Sequence, residues 1–497
     1  MLEFATSTER SKYLSRQFKD KKLRRIYHGI YSNDFESPVE QLVQKNWMEI
    51  VLFIVTKGIL SHRTAVDLKP FPFENQSIVF ITSSYTKTIN LPGLIIKIYQ
   101  GDNQHFIEPV IPHLTRSNMP RFLLENLSRV SSHYKNIKTV GSEGVEFLLA
   151  KELRLRGENR IHQIRDDARI IAEKLDWLKE YTKLSKIISA LLGTHSIHRV
   201  LSSPYAKAIA RKEPYDYERI RLFDKLALFL KQCNFIQRKY PYTSTSFKNL
   251  SFYESYFSNY IEGTEFMIDE AEDIVFKGLK ISHRHADSHD VLANFSLTND
   301  YTEMSITPHS VEQLIDLLQN RHALLMRERP EKRPGEFKLK SNKAGNTYFV
   351  TPEETLGTLC QGFERYKLLE PGLEKALFMQ FLISEVHPFD DGNGRLSRIM
   401  MNSELVANEN FKIIVPTVCR ENYLSGLRLA TRDLNFRTYV KFMDQAQAYT
   451  ASINWLDYGD AREKIELDNA HLTPDEGIPT FNRVFRHLKI SHIPPVY

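Results

Sequence analysis

The sequence predicts a mainly α-helical protein in which a smaller α+β region precedes a long helical one. Three observations carry this. Leu373 to Val386 is apolar and free of glycine, with Leu373, Leu377 and Phe381 at helical spacing, and Leu396 to Val406 has the same character beyond a glycine-containing loop. Strand-like runs are short and few: Ile26 to Tyr31, Ile78 to Thr82 and Leu94 to Tyr99 early on, then Pro334 to Lys340 and Asn346 to Val350. From Val145 to Leu192 the pattern is charged and helical. At 497 residues the chain is long enough for two or three domains, each with its own core.

Apolar residues make up 42% and charged residues 26%, which is ordinary for a soluble globular protein. A net charge of +6 permits phosphate-bearing partners without demanding them. The three cysteines, Cys233, Cys360 and Cys419, are far apart and lack metal spacing, so a reduced, cytoplasmic setting is expected. Met1 to Thr6 has no basic region followed by an apolar core, so no signal peptide is expected. The longest apolar run, near Trp47 to Val55, is too short to span a bilayer and carries Glu49, so no membrane partner is expected.

Taken in order, Ser7 to Phe18 reads as a short amphipathic helix, followed by the basic cluster Lys19, Lys21, Lys22, Arg24 and Arg25. Ile26 to Tyr31 alternates, with a turn at Gly29; Val39 to Lys57 is helix-like with Gly58 as its stop; Ser61 is the N-cap of a helix reaching Leu68. These are the parts of a winged helix-turn-helix over residues 1–75, and residues 76–200 read as a small α+β and helical region, with a boundary near Ser202. The basic Gly-Ile-Tyr hairpin and the Ser-His-Arg-Thr-Ala helix resemble the winged-helix head of the abortive-infection (AbiEi-like) antitoxin regulators. That resemblance covers about the first 200 residues. It implies duplex DNA as a partner, with Arg10, Lys12, Arg16, Lys19, Lys21, Lys22, Arg24 and Arg25 on phosphates and the wing near Tyr27 to Tyr31. The other reading of the same charges is a solvated basic face. His62 and Arg63 either read base edges or cap and pair within the domain; both readings stay open.

The densest chemistry lies in His387-Pro-Phe-Asp-Asp-Gly-Asn-Gly-Arg-Leu-Ser-Arg398. It is a tight loop between two helices, opening onto the N-terminus of the second. Gly392 and Gly394 let backbone approach a ligand, and free N–H groups with the helix dipole favour an anion. Arg395 and Arg398 add forks suited to phosphate. Asp391 is a hard oxygen ligand that can hold Mg²⁺ against phosphates, and His387 is a base near neutral pH.

This stretch resembles the signature of the Fic (filamentation-induced-by-cAMP) family, His-x-Phe-x-Asp/Glu-Gly-Asn-Gly-Arg-x-x-Arg. His387, Phe389, Asp391, Gly392, Asn393, Gly394, Arg395 and Arg398 match all eight fixed positions. The resemblance implies an all-helical Fic core over residues 205–460 with a short β-hairpin flap, and a tail over 461–497 to which no activity is assigned. It implies a protein adenylyltransferase that uses ATP and Mg²⁺ and moves AMP to a Tyr, Thr or Ser hydroxyl of a target protein. His387 would be the base, Asp391 the metal ligand, Phe389 a core anchor, and Gly392, Asn393, Gly394, Arg395 and Arg398 the phosphate cradle, with Arg398 on the γ-phosphate. Tyr423 either lies near the nucleotide or is a packed helix tyrosine.

Upstream, Leu250 to Tyr260 reads as an aromatic helix that stops at Gly263, placing Glu262 at its C-terminus. A carboxylate there meets an unfavourable dipole and needs a cation. Ser258, Glu262 and Gly263 resemble the family's Ser/Thr-x-x-x-Glu-Gly/Asn inhibitory helix near residues 250–263, whose glutamate pairs with the second arginine of the signature. A brake on the same chain is therefore expected. The flap is expected as two strands carrying Phe337, Lys338, Leu339, Thr347, Tyr348 and Phe349 around a Lys343-Ala-Gly-Asn turn, with Lys338 where an arginine is common. His322 reads as structural. Removal of AMP as a second activity, and a DNA-binding regulator of the toxin–antitoxin type that uses its Fic part as a nucleotide-dependent effector, stay open. An oligomer is also left open.

Overall fold

The structure, a computed structural model, describes every residue except Met1, Ser131, Lys135, Lys280, Ser282, His283, Val496 and Tyr497. The chain divides into two compact units, Met1–Lys212 and Glu213–Tyr497.

Among the described residues the first unit holds ten strands: β1 (Leu2–Phe4), β2 (Arg24–Tyr27), β3 (Ile30–Ser32), β4 (Gly58–Leu60), β5 (Phe71–Phe73), β6 (Gln76–Ser83), β7 (Lys87–Leu91), β8 (Leu94–Gln100), β9 (Ile107–Ile111) and β10 (Leu114–Ser117). The first three form an antiparallel sheet in the order β1-β3-β2, with Gly29 at φ +74° in the β2–β3 turn. The other seven form a mixed sheet in the order β7-β8-β6-β4-β10-β9, with β5 on β6. Within it β6 and β8 run parallel, as do β4 and β10. One apolar cluster joins Leu2 and Ile30, through Trp47, Ile50 and Val51, to Ile81, Ile96 and Leu114, so a single core runs across residue 75.

Local expectations in this unit are met in part. Ser7 caps the helix Thr8–Lys19 by accepting the Arg10 N–H. The helix expected over 39–57 is split into Val39–Lys45 and Trp47–Ile54 at Asn46, whose backbone leaves the helical region at φ −108°, ψ 25° while its side-chain amide and its own N–H share the Leu42 carbonyl at 2.7 and 3.2 Å. Gly58 opens β4 rather than closing a helix. A Cβ there would stand 2.6 Å from Val55 Cγ1 and 2.7 Å from Ile81 Cγ2, so glycine serves the close approach of β4 to β6. The charged region forms the helices Gly141–Leu175, broken at Gly157 where φ is +76°, and Leu178–Leu191.

The second unit is helical, and its centre is the pair Leu373–Val386 and Asn393–Val406. Both are buried almost all round, which is why neither shows a clean polar stripe. A buried Gln380 ties the pair to its surroundings, donating to the Tyr423 hydroxyl at 2.7 Å and accepting from that of Tyr439 at 2.5 Å. Ser244–Ile261 is likewise buried along most of its length and starts from a capping box of Thr243 and Ser246. The segment read as a polar tail is folded. Its helix Pro474–His487 packs Phe481, with no exposed area, edge-on against Tyr449 at 4.8 Å. Ser491 completes the attachment, donating its N–H and hydroxyl to Asp444 at 2.7 and 2.6 Å. Phe481→Ala is therefore expected to destabilise this unit by about 3–5 kcal/mol, read from denaturant unfolding, whereas a loose tail would give no change.

Candidate active site

The loop of residues 387–398 is held by its own polar groups. His387 ends the helix Leu373–Val386 in the left-handed region at φ +52°, and Gly392 at φ +72° starts the helix Asn393–Val406. Asn393 locks the turn between them, accepting the Phe389 N–H and donating to the Phe389 carbonyl, both at 2.9 Å. Phe389 is fully buried and stacks on His322 at 3.8 Å. Gly335 donates its N–H to His322 Nδ1 at 2.9 Å, so Nε2 carries the proton and donates to the Asp391 carbonyl at 3.0 Å. His322 is thus a structural clamp, and burial lowers its pKa to about 4.

His387 stands differently. Its Nδ1 lies 3.3 Å from the Ser384 carbonyl, which only accepts, so Nδ1 carries the proton and Nε2 keeps a lone pair. Phe349 stacks on the ring at 3.8 Å with 5° between planes. Burial lowers its pKa to about 4, the Ser384 carbonyl and the carboxylates of Glu262 and Asp391 acting against that and Lys338 with it. The ring is neutral at pH 7, the form a base requires.

Glu262 closes the other side. It is the C-cap of Ser244–Ile261, and its Oε1 lies 2.7 Å from Arg398 Nη2. Arg398 also donates from Nε to the Ser258 hydroxyl at 3.0 Å and from Nη2 to the Ser258 carbonyl at 2.9 Å. Arg420 Nε donates to the Ile261 carbonyl at 3.1 Å, a second cation at this helix end. Gly263, at φ +90°, turns the chain away. The carboxylate lies directly on the following helix: a Cβ on Gly394 would be 2.1 Å from Glu262 Oε1. The anion position at the N-terminus of Asn393–Val406 is therefore filled by a side chain of this protein.

His387, Gly394, Arg398, Glu262, Phe349 and Tyr423 share the lining of one cavity of about 540 Å³. Residues 313–405 of the chain, which include the loop, match the Fic/DOC family model. This segment is a Fic domain. The protein adenylyltransferase Fic of Drosophila persimilis is 27% identical over 202 residues, a match that covers 39% of this chain and 39% of that protein. The Drosophila melanogaster protein adenylyltransferase Fic is also 27% identical over 202 residues, covering 39% of this chain and 40% of its own length. The chain thus spans about two fifths of the length of these relatives. The solved structure of Fic-1 (residues 134–508) from C. elegans is 17% identical, with a TM-score of 0.35 over 62% of this chain and 96% of that one.

The Fic domain does not gather every residue the sequence pointed to. Gly394 and Arg398, four apart, share the helix face that lines the cavity, but Arg395 is rotated about 100° from Gly394. Its Nη1 pairs with Asp290 at 2.9 Å inside the core, and it does not line the cavity. Asp391 presents a half-exposed carboxylate; Oδ1 accepts the Gly392 N–H at 2.7 Å and Oδ2 lies 3.6 Å from Lys332. No group of three or more His, Cys, Asp or Glu side chains that could hold a metal occurs among the described residues. One carboxylate is enough for a Mg²⁺ that brings substrate phosphates as its other ligands. Tyr423 is buried and lines the cavity.

The flap also departs from expectation. Its strands are β11 (Lys343–Ala344) and β12 (Thr347–Tyr348), with Gly345 at φ +56° in the turn, and Phe337 to Lys340 is not a strand. That first segment is committed to the signature loop instead. Lys338 donates its N–H to the Pro388 carbonyl at 2.9 Å, and its buried ammonium reaches Asn342 Oδ1 at 2.8 Å and the Val386 carbonyl at 3.2 Å. Burial lowers the Lys338 pKa to about 8. Phe337 packs against Phe389 at 5.2 Å. Leu339 and Tyr348 are exposed at 74% and 70%, and Thr347 accepts from Arg432 at 2.8 Å.

In the first unit Lys21, Lys22 and Arg25 are exposed, while Arg24 is half-buried and bonds the Ser37 carbonyl. His62 and Arg63 are engaged within the unit. His62 is buried, and Arg63 donates to the Asn136 and Thr139 carbonyls at 2.9 and 2.8 Å and pairs with Asp67 at 3.7 Å.

Sequence reasoning missed Ser384, which sets the His387 tautomer, and Asp290, which holds Arg395. Ser384 left no signal in the sequence, because what it contributes is a backbone carbonyl that any residue would supply. Asp290 carried none, because its helix, His285–Thr298, is far away in sequence.

Proposed function

We propose that this protein transfers AMP from ATP to a hydroxyl side chain of a protein, and that Glu262 restrains the reaction. The observation that carries the reading is the complete signature loop with a neutral, correctly protonated His387 and with Arg398 held by Glu262. The match to protein adenylyltransferases supports the reaction class.

His387 Nε2 takes the proton of a Tyr, Thr or Ser hydroxyl. The oxygen attacks the α-phosphorus of ATP, the bond from that phosphorus to the bridging oxygen of the β-phosphate breaks, and pyrophosphate leaves. The Ser384 carbonyl holds the Nδ1 proton, so the ring stays in the tautomer that can accept. Backbone N–H groups at the start of Asn393–Val406 face the charge that develops on the phosphates. Asp391 would hold Mg²⁺, which when bound supplies charge neutralisation on the phosphates. Arg398, which lines the cavity, takes the γ-phosphate once Glu262 lets it go. With Glu262 in place the anion position is filled and the arginine is already paired, so triphosphate binds in a pose unfit for in-line attack.

The test of the reaction class compares ATP labelled at the α-phosphate with ATP labelled at the γ-phosphate, using Glu262→Gly protein and Mg²⁺. Label on protein from the α position alone is the expected result; label from the γ position would make the protein a kinase and overturn the reading.

A further inference from the structure

A second cavity, of about 290 Å³, lies within the first unit, and nothing in the adenylylation chemistry uses it. It opens where Thr82, Tyr99, Gln100 and Gly101 stand, at the C-terminal ends of the parallel pair β6 and β8. That edge of a parallel pair is where open α/β sheets commonly receive ligands. The floor is a satisfied ionic network. Arg121, 1% exposed, donates to Glu125 at 2.9 Å and to the carbonyls of His105 and Asp102 at 2.7 and 2.6 Å. Glu125 accepts in addition from Ser117 and from the His62 N–H, each at 2.8 Å. Asp102 is answered by the His105 ring at 2.7 Å. Two of the three acids in the lining are thereby neutralised inside the wall. The third, Glu180, is half-buried; the carboxylate whose charge acts on Lys138 is Glu125.

Lys138, His62 and the exposed Arg129 remain to meet a charged ligand. Lys138 is half-buried, with its ammonium 4.0 Å from the Tyr99 ring centroid and no hydrogen-bond acceptor among the described residues. A partly desolvated cation whose carboxylate neighbour, Glu125, is already bonded to Arg121, Ser117 and the His62 N–H is stabilised by a further anion. His62 is held at φ +54°, a conformation that side chains other than glycine rarely adopt, and is buried against Tyr99. Its Nδ1 is taken by the Ser61 hydroxyl at 3.0 Å, which leaves Nε2 for the cavity. Burial keeps this ring from protonating, and the cations Lys138 and Arg121 act in the same direction. Trp177 supplies an apolar wall.

We propose that this cavity binds a small anion whose phosphate or carboxylate group sits on Lys138 and accepts from or donates to His62 Nε2. The test is calorimetric titration of the full chain with inorganic phosphate and, separately, with acetate. Saturable binding of one of the two is expected, and which one binds identifies the headgroup. Lys138→Met should weaken it at least about tenfold, while Lys138→Arg, which keeps the charge, should stay near wild type. Arg398→Ala should leave it unchanged, because the Fic loop is not the site. Quenching of Trp177 fluorescence should follow the same isotherm and vanish in Trp177→Phe. The proposal is overturned by binding of neither anion, by an unaltered isotherm in Lys138→Met, or by loss of binding in Arg398→Ala.

Discussion

Glu262→Gly should raise incorporation of AMP into protein on the order of 10- to 100-fold. The expectation follows from what the carboxylate does. Its Oε1 engages Arg398 at 2.7 Å and stands where a Cβ on Gly394 would be 2.1 Å away, so it takes both the arginine and the backbone position a phosphate needs. Misplacement of a reacting phosphorus by about 1 Å costs on the order of 10²-fold, and removing the carboxylate removes the cause of misplacement. Fold damage is not expected from the substitution: Glu262 is a C-cap residue, its backbone N–H closes on the Asn259 carbonyl at 3.1 Å, and Gly263 makes the turn. An α-phosphate label counted on a denaturing gel reads the change. Equal labelling of variant and wild type would remove Glu262 from regulation.

His387→Ala in the Glu262→Gly background should lower labelling by about 10²- to 10⁴-fold, the usual contribution of a positioned base, with ATP binding retained. The pH dependence is a sharper form of the same expectation. Burial holds the His387 pKa at about 4, so Nε2 is available above that value and is lost as pH falls through it. Labelling by Glu262→Gly should therefore hold level from about pH 7 to about pH 5, where an ordinary histidine of pKa about 6.5 would already have lost its lone pair. Removing Glu262 takes away a carboxylate that favours the charged ring, so the acidic limb moves further down and not up. A midpoint near pH 6.5 would mean that His387 is exposed during turnover or is not the base.

How much of this was legible follows from how local each feature is. The signature loop could be read almost whole, because its parts are neighbours in sequence and their geometry is set by two helix ends and two glycines. The pairing of Glu262 with Arg398 was anticipated because a carboxylate at a helix C-terminus asks for a cation, and the family pattern named which. The course of the flap was not legible. Phe337 to Lys340 has strand-like composition, but the buried Lys338 is tied to Pro388 and Val386, contacts made across about 50 residues, and locally to Asn342. Arg395 was placed at the phosphates on pattern alone, and its partner Asp290 comes from a helix more than 100 residues earlier. In the first unit the helix stop read at Gly58 failed because a glycine also permits the close approach of two strands, and sequence alone does not separate the uses.

The central claim is that Glu262 acts by holding Arg398, and a double-mutant comparison tests it directly. Labelling is measured for wild type, Glu262→Gly, Arg398→Ala and the double variant. If the brake works through the arginine, Glu262→Gly activates the wild-type chain strongly and adds little or nothing once Arg398 is gone. Equal activation in both backgrounds would contradict that claim, and would leave the carboxylate's occupation of the position beside Gly394 as the whole of the restraint.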